Sequence, residues 1–226
     1  MIMRKPGKVL AISPHADDVE LGAAGLLLKL IHKGWYVQVV VCSLETEVRY
    51  TGITVSGDTR RKEFYESMSF LGAYGIEHNG SITDKKGLIS ALDRRINSLR
   101  PDIVLIPAPS FHQDHQFVYD CCLAATRPTK GFIVPTVLVY EYPASNWGPS
   151  AGMNPARGGI YEDISSVFQL KLESLRRHKS QIHDRNHMIS LDGVTRLAKF
   201  RGMEIGVGYA ELFYLLRSVN GLTNKN

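Results

Sequence analysis

A cluster of one histidine and three carboxylates directly after a short apolar segment constrains this chain more than any other feature. Val9–Ile12 is apolar and partly β-branched, which predicts a buried strand, and residues 13–20 then read Ser-Pro-His-Ala-Asp-Asp-Val-Glu. We expect a helix over residues 21–33, because apolar residues recur there at helical spacing. The cluster therefore lies at the carboxyl end of the first strand, where open α/β sheets bind their ligands.

The carboxylates of this cluster have two explanations. Asp17 or Asp18 could cap the following helix, since a carboxylate at a helix start accepts backbone N–H bonds and complements the helix dipole. Capping accounts for only one aspartate. His15 and Asp18 stand three residues apart, and this spacing lets an imidazole nitrogen and a carboxylate oxygen bind one cation from a tight turn. The octapeptide favours a metal site over a cap, with Asp17 left free for another role.

A second cluster repeats this arrangement later in the chain. Residues 102–108 form a near-continuous apolar segment, typical of a strand buried in a parallel sheet, and His112, Asp114 and His115 follow before a helix predicted over residues 117–125. In a doubly wound sheet the chain returns past its first strand at the switch point, which brings two such turns to one crevice. Two clusters of this kind predict a shared site more strongly than either does alone.

The remaining patterns predict an α/β fold, with a single-domain Rossmann-like, mostly parallel sheet, helices on both faces and the site at the carboxyl ends of the strands. A long loop over residues 45–57 precedes Arg60, which is either a solvent-exposed cation or a ligand-binding one. A loop over residues 144–159 could form a lid, in which Trp147 is a stacking platform or a loop anchor. The other expected elements are strands over 36–42 and 136–140, a weak strand near 76–82, helices over 58–72, 88–99, 165–179 and 191–203, and a strand or short helix over 209–216.

Composition narrows the class further. A chain of 226 residues with 44% apolar content can bury one core, so we expect a single domain over residues 1–226. It shows neither a secretory signal nor an apolar segment of transmembrane length, which argues against a membrane protein. The three cysteines form no paired framework, so a reduced, cytoplasmic setting fits best. The net charge of +5 is scattered, which argues against nucleic acid and leaves at most a bias toward anionic small substrates.

Several motifs, in order along the chain, carry a resemblance to one family. Residues 15–22, His-Ala-Asp-Asp-Val-Glu-Leu-Gly, resemble the His-Pro-Asp-Asp-x-x-x-Gly signature of the LmbE-like/PIG-L zinc-dependent N-acetylglucosaminyl deacetylases. Residues 60–63, 112–115, 178–181 and 209–211 resemble the family's basic helix, its His-Pro-Asp-His motif and its C-terminal pattern. Ala16 and Gln113 replace the usual prolines, which mainly stiffen those turns, so the ligands should stay in place.

The resemblance implies a role for each matching residue. It makes His15, Asp18 and His115 the ligands of one zinc ion per chain, or of another divalent metal, with Asp17 as general base. It also makes His112 the group that stabilises the oxyanion, with Asp114 orienting it. The substrate would be a small N-acetylated sugar or glycoside, and the chain would form a homo-oligomer. Our assignment adds Arg60 and Tyr142 as substrate-binding residues.

Two other classes remain as alternatives. A Rossmann-type nucleotide-binding enzyme needs a glycine-rich turn between strand and helix, whereas Gly22 and Gly25 are predicted to lie a turn inside the helix. A non-catalytic zinc-binding protein of the same fold would have no use for Asp17 as a base beside the ligands. We further expect the polar side chains at positions 178–187 to form an exposed turn away from the metal.

Overall fold

The computed structural model describes residues 6–49, 52–129, 131–146 and 159–220. The expected elements are present, with corrections given below. The strands are β1 Lys8–Ser13, β2 Tyr36–Val41, β3 Glu47–Val48, β4 Thr54–Val55, β5 Tyr74–Glu77, β6 Ile103–Pro107, β7 Thr136–Tyr140, β8 Gly159–Asp163 and β9 Ala210–Ser218. The α-helices are α1 Asp18–Gly22, α2 Ala24–His32, α3 Gly57–Leu71, α4 Lys85–Leu99, α5 Gln113–Ala125, α6 Phe168–Leu175 and α7 Leu191–Ile205.

Seven strands form the central sheet in the order β5-β2-β1-β6-β7-β9-β8. The first five are parallel, and β9 and β8 add an antiparallel edge. Strand β1 pairs with β2 on one side and β6 on the other, so the strand order reverses between β1 and β6. This confirms the predicted α/β fold with a mostly parallel sheet, and it brings the polar turns after β1 and β6 together.

The two strands that carry the site are held rigidly because both are buried. All five residues of β6 and the last five of β1 are shielded from solvent, in keeping with their near-continuous apolar sequences. Tyr140 at the end of β7 is fully buried and donates its hydroxyl to the carbonyl of Ile12 at 2.8 Å. The turns that follow β1 and β6 therefore start from a fixed edge.

The first helix is shorter than predicted, because tertiary packing interrupts it. It forms as α1 and α2, separated at Ala23, whose φ of −138° departs from helical geometry. Gly22 sits so close to β7 that a Cβ there would lie 2.4 Å from the carbonyl oxygen of Glu141. Gly25 donates its N–H to the Glu211 carboxylate at 2.8 Å. The apolar periodicity does not encode this close approach of the backbone to neighbouring strands.

Other boundaries also differ from the sequence prediction. Helix α5 begins at Gln113, which places His115 inside the helix, and residues 210–218 form a strand. Strands β3 and β4 make a small antiparallel pair inside the segment predicted as a loop, and β8 was not predicted. Trp147 and most of the predicted 144–159 loop lie outside the described residues. No helix in the described part of the chain is long and apolar enough to cross a membrane.

Candidate active site

The turn after β1 is held by hydrogen bonds to the side chains of Ser13 and Asp18. Ser13 Oγ donates to the carbonyl of His15 at 2.6 Å and accepts the N–H of Val19 at 3.3 Å. The Asp18 carboxylate accepts the backbone N–H of His15 at 2.7 Å. Asp17 occupies the N-cap position of α1, yet its side chain accepts no capping hydrogen bond from a described backbone N–H. Capping therefore does not explain the two aspartates.

The turn after β6 brings a second histidine to Asp18. His115 lies in the first turn of α5 and is 3% exposed, and its Nε2 is 3.3 Å from Asp18 Oδ1. On the other side, His15 Nδ1 is 3.3 Å from Asp18 Oδ2. Each of the three residues offers one ligand atom, and these atoms all lie within 4.8 Å of one another. The clusters predicted to share a crevice do so.

The donor atoms of this triad suit a divalent metal. Zinc binds imidazole nitrogen and carboxylate oxygen, and three ligand atoms within 4.8 Å of one another are close enough to surround one ion. The two imidazoles face different oxygens of Asp18, and both distances exceed the roughly 2.7–2.9 Å of a charge-assisted hydrogen bond. The residues present fit a metal ion held by two nitrogens and one carboxylate.

His112 and Asp114 lie on the open side of the triad. His112 is the N-cap of α5, and its Nδ1 accepts the backbone N–H of Asp114 at 3.3 Å. The Asp114 carboxylate is 3.0 Å from His15 Nε2 but 3.9 Å from His112 Nδ1. Asp114 thus contacts the two histidines through different groups. Its carboxylate orients His15, whereas its backbone N–H donates to the imidazole of His112.

The electrostatics of the metal-free site separate the two adjacent aspartates. Burial raises the pKa of Asp17 to about 6, and the neighbouring Asp18 charge acts in the same direction. Burial alone would also raise the pKa of Asp18, but His115 and His15 hold it well below its usual value. The Asp18 carboxylate is therefore ionised over the physiological range, whereas the pKa of Asp17 lies close to neutral pH.

The pKa values of His15 and His112 are shifted in opposite directions. Burial lowers the pKa of His15, yet the carboxylates of Asp114 and Asp18 outweigh it and raise that pKa to about 10. For His112, burial and the charges of His15 and His115 act together and lower the pKa. Neighbouring carboxylates therefore favour the protonated form of His15, whereas burial and neighbouring imidazoles favour the neutral form of His112.

A cavity of about 590 Å³ opens over these residues and is large enough for a small sugar. Arg60 lines it and is 5% exposed, with one guanidinium nitrogen donating to the Glu45 carbonyl at 2.7 Å. Tyr142 lines it as well and stacks on His115, with ring centroids 4.5 Å apart. The structure therefore brings all eight predicted site residues together: His15, Asp17, Asp18, Arg60, His112, Asp114, His115 and Tyr142.

The prediction of an exposed turn at residues 178–187 is wrong for its first members. His178 is fully buried, with Nε2 3.0 Å from Glu20 Oε1, and Gln181 is 7% exposed and lines the cavity. Glu63 fixes this segment, because its carboxylate accepts both the N–H and the hydroxyl of Ser180. Both segments, 60–63 and 178–181, carry the family resemblance, but the contact between them joins positions 117 residues apart, which neither motif indicates.

Comparison with known proteins agrees with this arrangement. The model of the PIG-L family, described as GlcNAc-PI de-N-acetylase, matches residues 10–126. An Escherichia coli protein named uncharacterized deacetylase YaiS is 30% identical over 186 residues, which cover 76% of this chain and 90% of that protein. The family match over residues 10–126 includes both clusters.

Solved structures share the fold. The N,N′-diacetylchitobiose deacetylase of Pyrococcus horikoshii is similar with a TM-score of 0.68 and 25% identity, over 93% of this chain and 84% of that one. GalB, the 4-carboxy-2-hydroxymuconate hydratase of Pseudomonas putida, has a TM-score of 0.73 at 21% identity, over 96% of this chain and 100% of that one. The likeness to GalB concerns the fold alone, and it indicates that the fold does not determine the reaction. The family match and the relative that is 30% identical over 186 residues show that this chain belongs to the PIG-L family and is a deacetylase of the LmbE type.

Proposed function

We propose that the protein is a metal-dependent hydrolase that removes the N-acetyl group from an N-acetylglucosamine-type sugar or small glycoside. His15, Asp18 and His115 would hold one zinc ion. The observation that carries the proposal is the triad of two imidazoles and one carboxylate, with donor atoms within 4.8 Å of one another, beside a second carboxylate, Asp17, that neither caps a helix nor belongs to the triad. A purely structural zinc site has four protein ligands, whereas three leave a position open for chemistry.

Asp17 is the proposed general base. It lines the cavity and is 6% exposed, and without a metal its pKa is raised to about 6. A bound metal ion would lower this pKa, so the carboxylate is ionised at neutral pH and ready to accept a proton. The bound metal would supply Lewis acidity toward the acetyl carbonyl and toward water. Asp17 takes a proton from the attacking water as the water oxygen bonds to the carbonyl carbon and the carbonyl electron pair moves onto its oxygen. Asp17 then gives this proton to the amide nitrogen as the carbonyl re-forms and the C–N bond breaks, which yields the free amino sugar and acetic acid, and the acid ionises to acetate.

The residues at the cavity mouth would bind and stabilise the reacting groups. His112, whose side chain is 54% exposed, is placed to donate to the developing oxyanion. Arg60 offers guanidinium N–H groups, and its Nε is buried without a partner among the described residues. Tyr142 forms a flat wall against His115. We propose both Arg60 and Tyr142 as contacts for sugar hydroxyl groups.

The nucleotide-binding alternative lacks its structural basis. Gly22 ends α1 and Gly25 lies in the first turn of α2, and both are packed against neighbouring elements. A phosphate-binding turn would instead present backbone N–H groups directly at the strand end. A non-catalytic zinc-binding protein could share this fold and these ligands, so only an activity measurement distinguishes it from the proposed enzyme. A cytoplasmic location and a homo-oligomeric state remain our predictions.

Acetate release tests the proposal. Purified protein with one equivalent of zinc is incubated with N-acetylglucosamine and with diacetylchitobiose, and acetate and free amine are measured. We expect release of both products in equal amounts, abolished by a chelator and restored by zinc. Asp58→Asn is a matched control because this carboxylate is 96% exposed on α3. Full zinc content with no acetate release from any N-acetyl sugar would favour the non-catalytic alternative.

A further inference from the structure

A buried ion pair outside the cavity joins the ends of helices α1 and α2. Lys171 of α6 and Glu211 of β9 are 2% and 4% exposed, and Lys171 Nζ donates to Glu211 Oε1 at 2.6 Å. Lys171 Nζ also donates to the backbone carbonyl of Leu21 in α1 at 3.0 Å. The pair therefore contacts the short helix that carries Asp18, although both of its members lie behind the residues that line the cavity.

This ion pair supplies hydrogen bonds that the backbone cannot make where the two helices separate. The first N–H groups of an α-helix have no intrahelical acceptor, and its last carbonyls have no intrahelical donor. The N-cap residue of α2 is an alanine, whose side chain cannot accept a capping bond. The Glu211 carboxylate instead accepts the N–H groups of Gly25 and Leu26, each at 2.8 Å. On the other side of the gap, the Lys171 ammonium donates to the carbonyl of Leu21.

Helix α1 depends on such outside contacts for its position. It has only five residues, and a helix this short is unstable in isolation. Asp17 is its N-cap and Asp18 its first residue, so both aspartates of the site move with it. The carbonyl that Lys171 holds belongs to Leu21, whose N–H donates to the carbonyl of Asp17 at 2.9 Å. A shift at the end of α1 therefore reaches both aspartates within one turn.

The burial of the pair makes it a rigid support. Each carboxylate oxygen of Glu211 accepts a backbone N–H, and Oε1 accepts a bond from Lys171 as well. In a site of low dielectric constant, hydrogen bonds between charged groups are strong, and either charge is costly without the other. One network of such bonds thus fixes α1 and α2 relative to α6 and β9.

We propose that Lys171 and Glu211 are positioning residues for the metal-binding turn. By fixing the gap between α1 and α2 they hold Asp18 within reach of the two ligand histidines, with Asp17 beside it. Glu211 belongs to the motif at residues 209–211, to which the reaction itself gives no role. The statement about Asp18 rests on the proposed metal site, and the statement about Asp17 rests on the proposed function.

Zinc affinity separates positioning from stability. Lys171→Met removes the donor to Leu21 and leaves the Glu211 charge buried alone, so it both frees α1 and destabilises the protein. The double variant Lys171→Met/Glu211→Gln removes that charge too, and a neutral pair of similar volume should restore much of the stability. The donor to Leu21 is still missing. We expect both variants to bind zinc roughly 10-fold or more weakly than the wild type, as measured by competition with a chelating dye.

Arg217→Met is the matched control for zinc affinity. Arg217 donates to the carbonyls of Thr126 and Val134 at 2.9 and 3.1 Å, near the end of α5 and the start of β7, at the edge of the sheet opposite the site. Its substitution likewise removes a cation that holds backbone carbonyls, and zinc affinity should stay as in the wild type. The proposal would be refuted if the double variant bound zinc like the wild type, or if Arg217→Met lost as much affinity.

Amide hydrogen exchange in the metal-free protein tests the proposal without zinc. The N–H groups of Leu21 and Ala23 donate to carbonyls of the α1 segment at 2.9 and 2.7 Å. In the double variant both should exchange roughly 10-fold faster or more, because a bond from a charged group to this helix is lost. The N–H of Leu105, in the middle of β6, should change only as much as global stability does. Unchanged exchange at Leu21 and Ala23 would contradict the proposal.

Acetate release distinguishes a failure of this proposal from a failure of the proposed function. At saturating zinc the double variant should lose roughly 10²-fold in kcat, the effect of a misplacement of about 1 Å. Its KM should change little, because Arg60 and Tyr142 lie outside α1. A wild-type kcat would refute the positioning of Asp17. A wild-type protein that binds zinc but releases no acetate would refute the proposed function, and zinc affinity and hydrogen exchange would still decide the role of the ion pair.

Discussion

Replacing Asp17 by asparagine should stabilise the metal-free protein while it removes activity. Asp17 is 6% exposed, and burial and the Asp18 charge raise its pKa from 3.8 to about 6. A raised pKa means that the folded state disfavours the carboxylate relative to the unfolded chain. This difference corresponds to about 3 kcal/mol of stability lost to ionisation at neutral pH. Asparagine has the same shape and no charge to bury.

The sign of the pH dependence follows from the two pKa values. Below about pH 4 Asp17 is protonated in both states, and the substitution should change stability little. The advantage of Asp17→Asn should grow as pH rises from about 4 to 6, and it should stay constant above that range. A bound metal ion would favour the Asp17 carboxylate and reduce the stability gained by Asp17→Asn, so both proteins should be compared in the presence of a chelator.

Urea unfolding of both proteins at several pH values measures this effect. We expect Asp17→Asn to be more stable than the wild type at neutral pH by up to about 3 kcal/mol. Its rate of acetate release should fall by roughly 10²- to 10⁴-fold, because the general base is missing. Asp58→Asn, on the surface, should stay within about 0.5 kcal/mol of the wild type. If Asp17→Asn were less stable than the wild type at neutral pH, the burial argument would be refuted. If it kept full activity, Asp17 would not be the base.

Three further substitutions give distinct results. Asp18→Asn should lose zinc affinity, since it removes the only carboxylate of the triad, and elemental analysis after dialysis would show this. His112→Ala should keep its zinc and slow kcat by roughly 10² to 10³, which steady-state kinetics would measure; an unchanged kcat would remove this residue from the oxyanion role. Lys171→Met should cost about 3 to 5 kcal/mol in urea unfolding, because Lys171 donates to the buried Glu211 carboxylate at 2.6 Å and its loss leaves that charge without its cation.

The position of the site could be predicted from the sequence because it depends on strand order. Near-continuous apolar segments identify β1 and β6 as buried parallel strands, and a right-handed doubly wound chain places them side by side. Polar residues immediately after both strands must then meet. The approach of His15, Asp18 and His115 follows from topology and does not require side-chain detail.

The remaining contacts depend on packing between distant positions and could not be predicted. Whether Asp114 orients His15 or His112 is decided by less than 1 Å between two side-chain distances. His178 meets Glu20 across 158 positions in sequence, and nothing in its own polar neighbourhood indicates burial. Strand β8 has irregular burial and forms only by pairing with β9. Local periodicity carries no signal for such partners.

Anomalous diffraction at the zinc edge, from crystals prepared with one equivalent of zinc per chain, tests the central claim most directly. The account predicts one strong peak bounded by His15 Nδ1, an Asp18 carboxylate oxygen and His115 Nε2, with Asp17 beside it and not bound to it. A single peak between His112 and Asp114, or one coordinated by Asp17 in place of Asp18, would contradict the assignment of ligands and base.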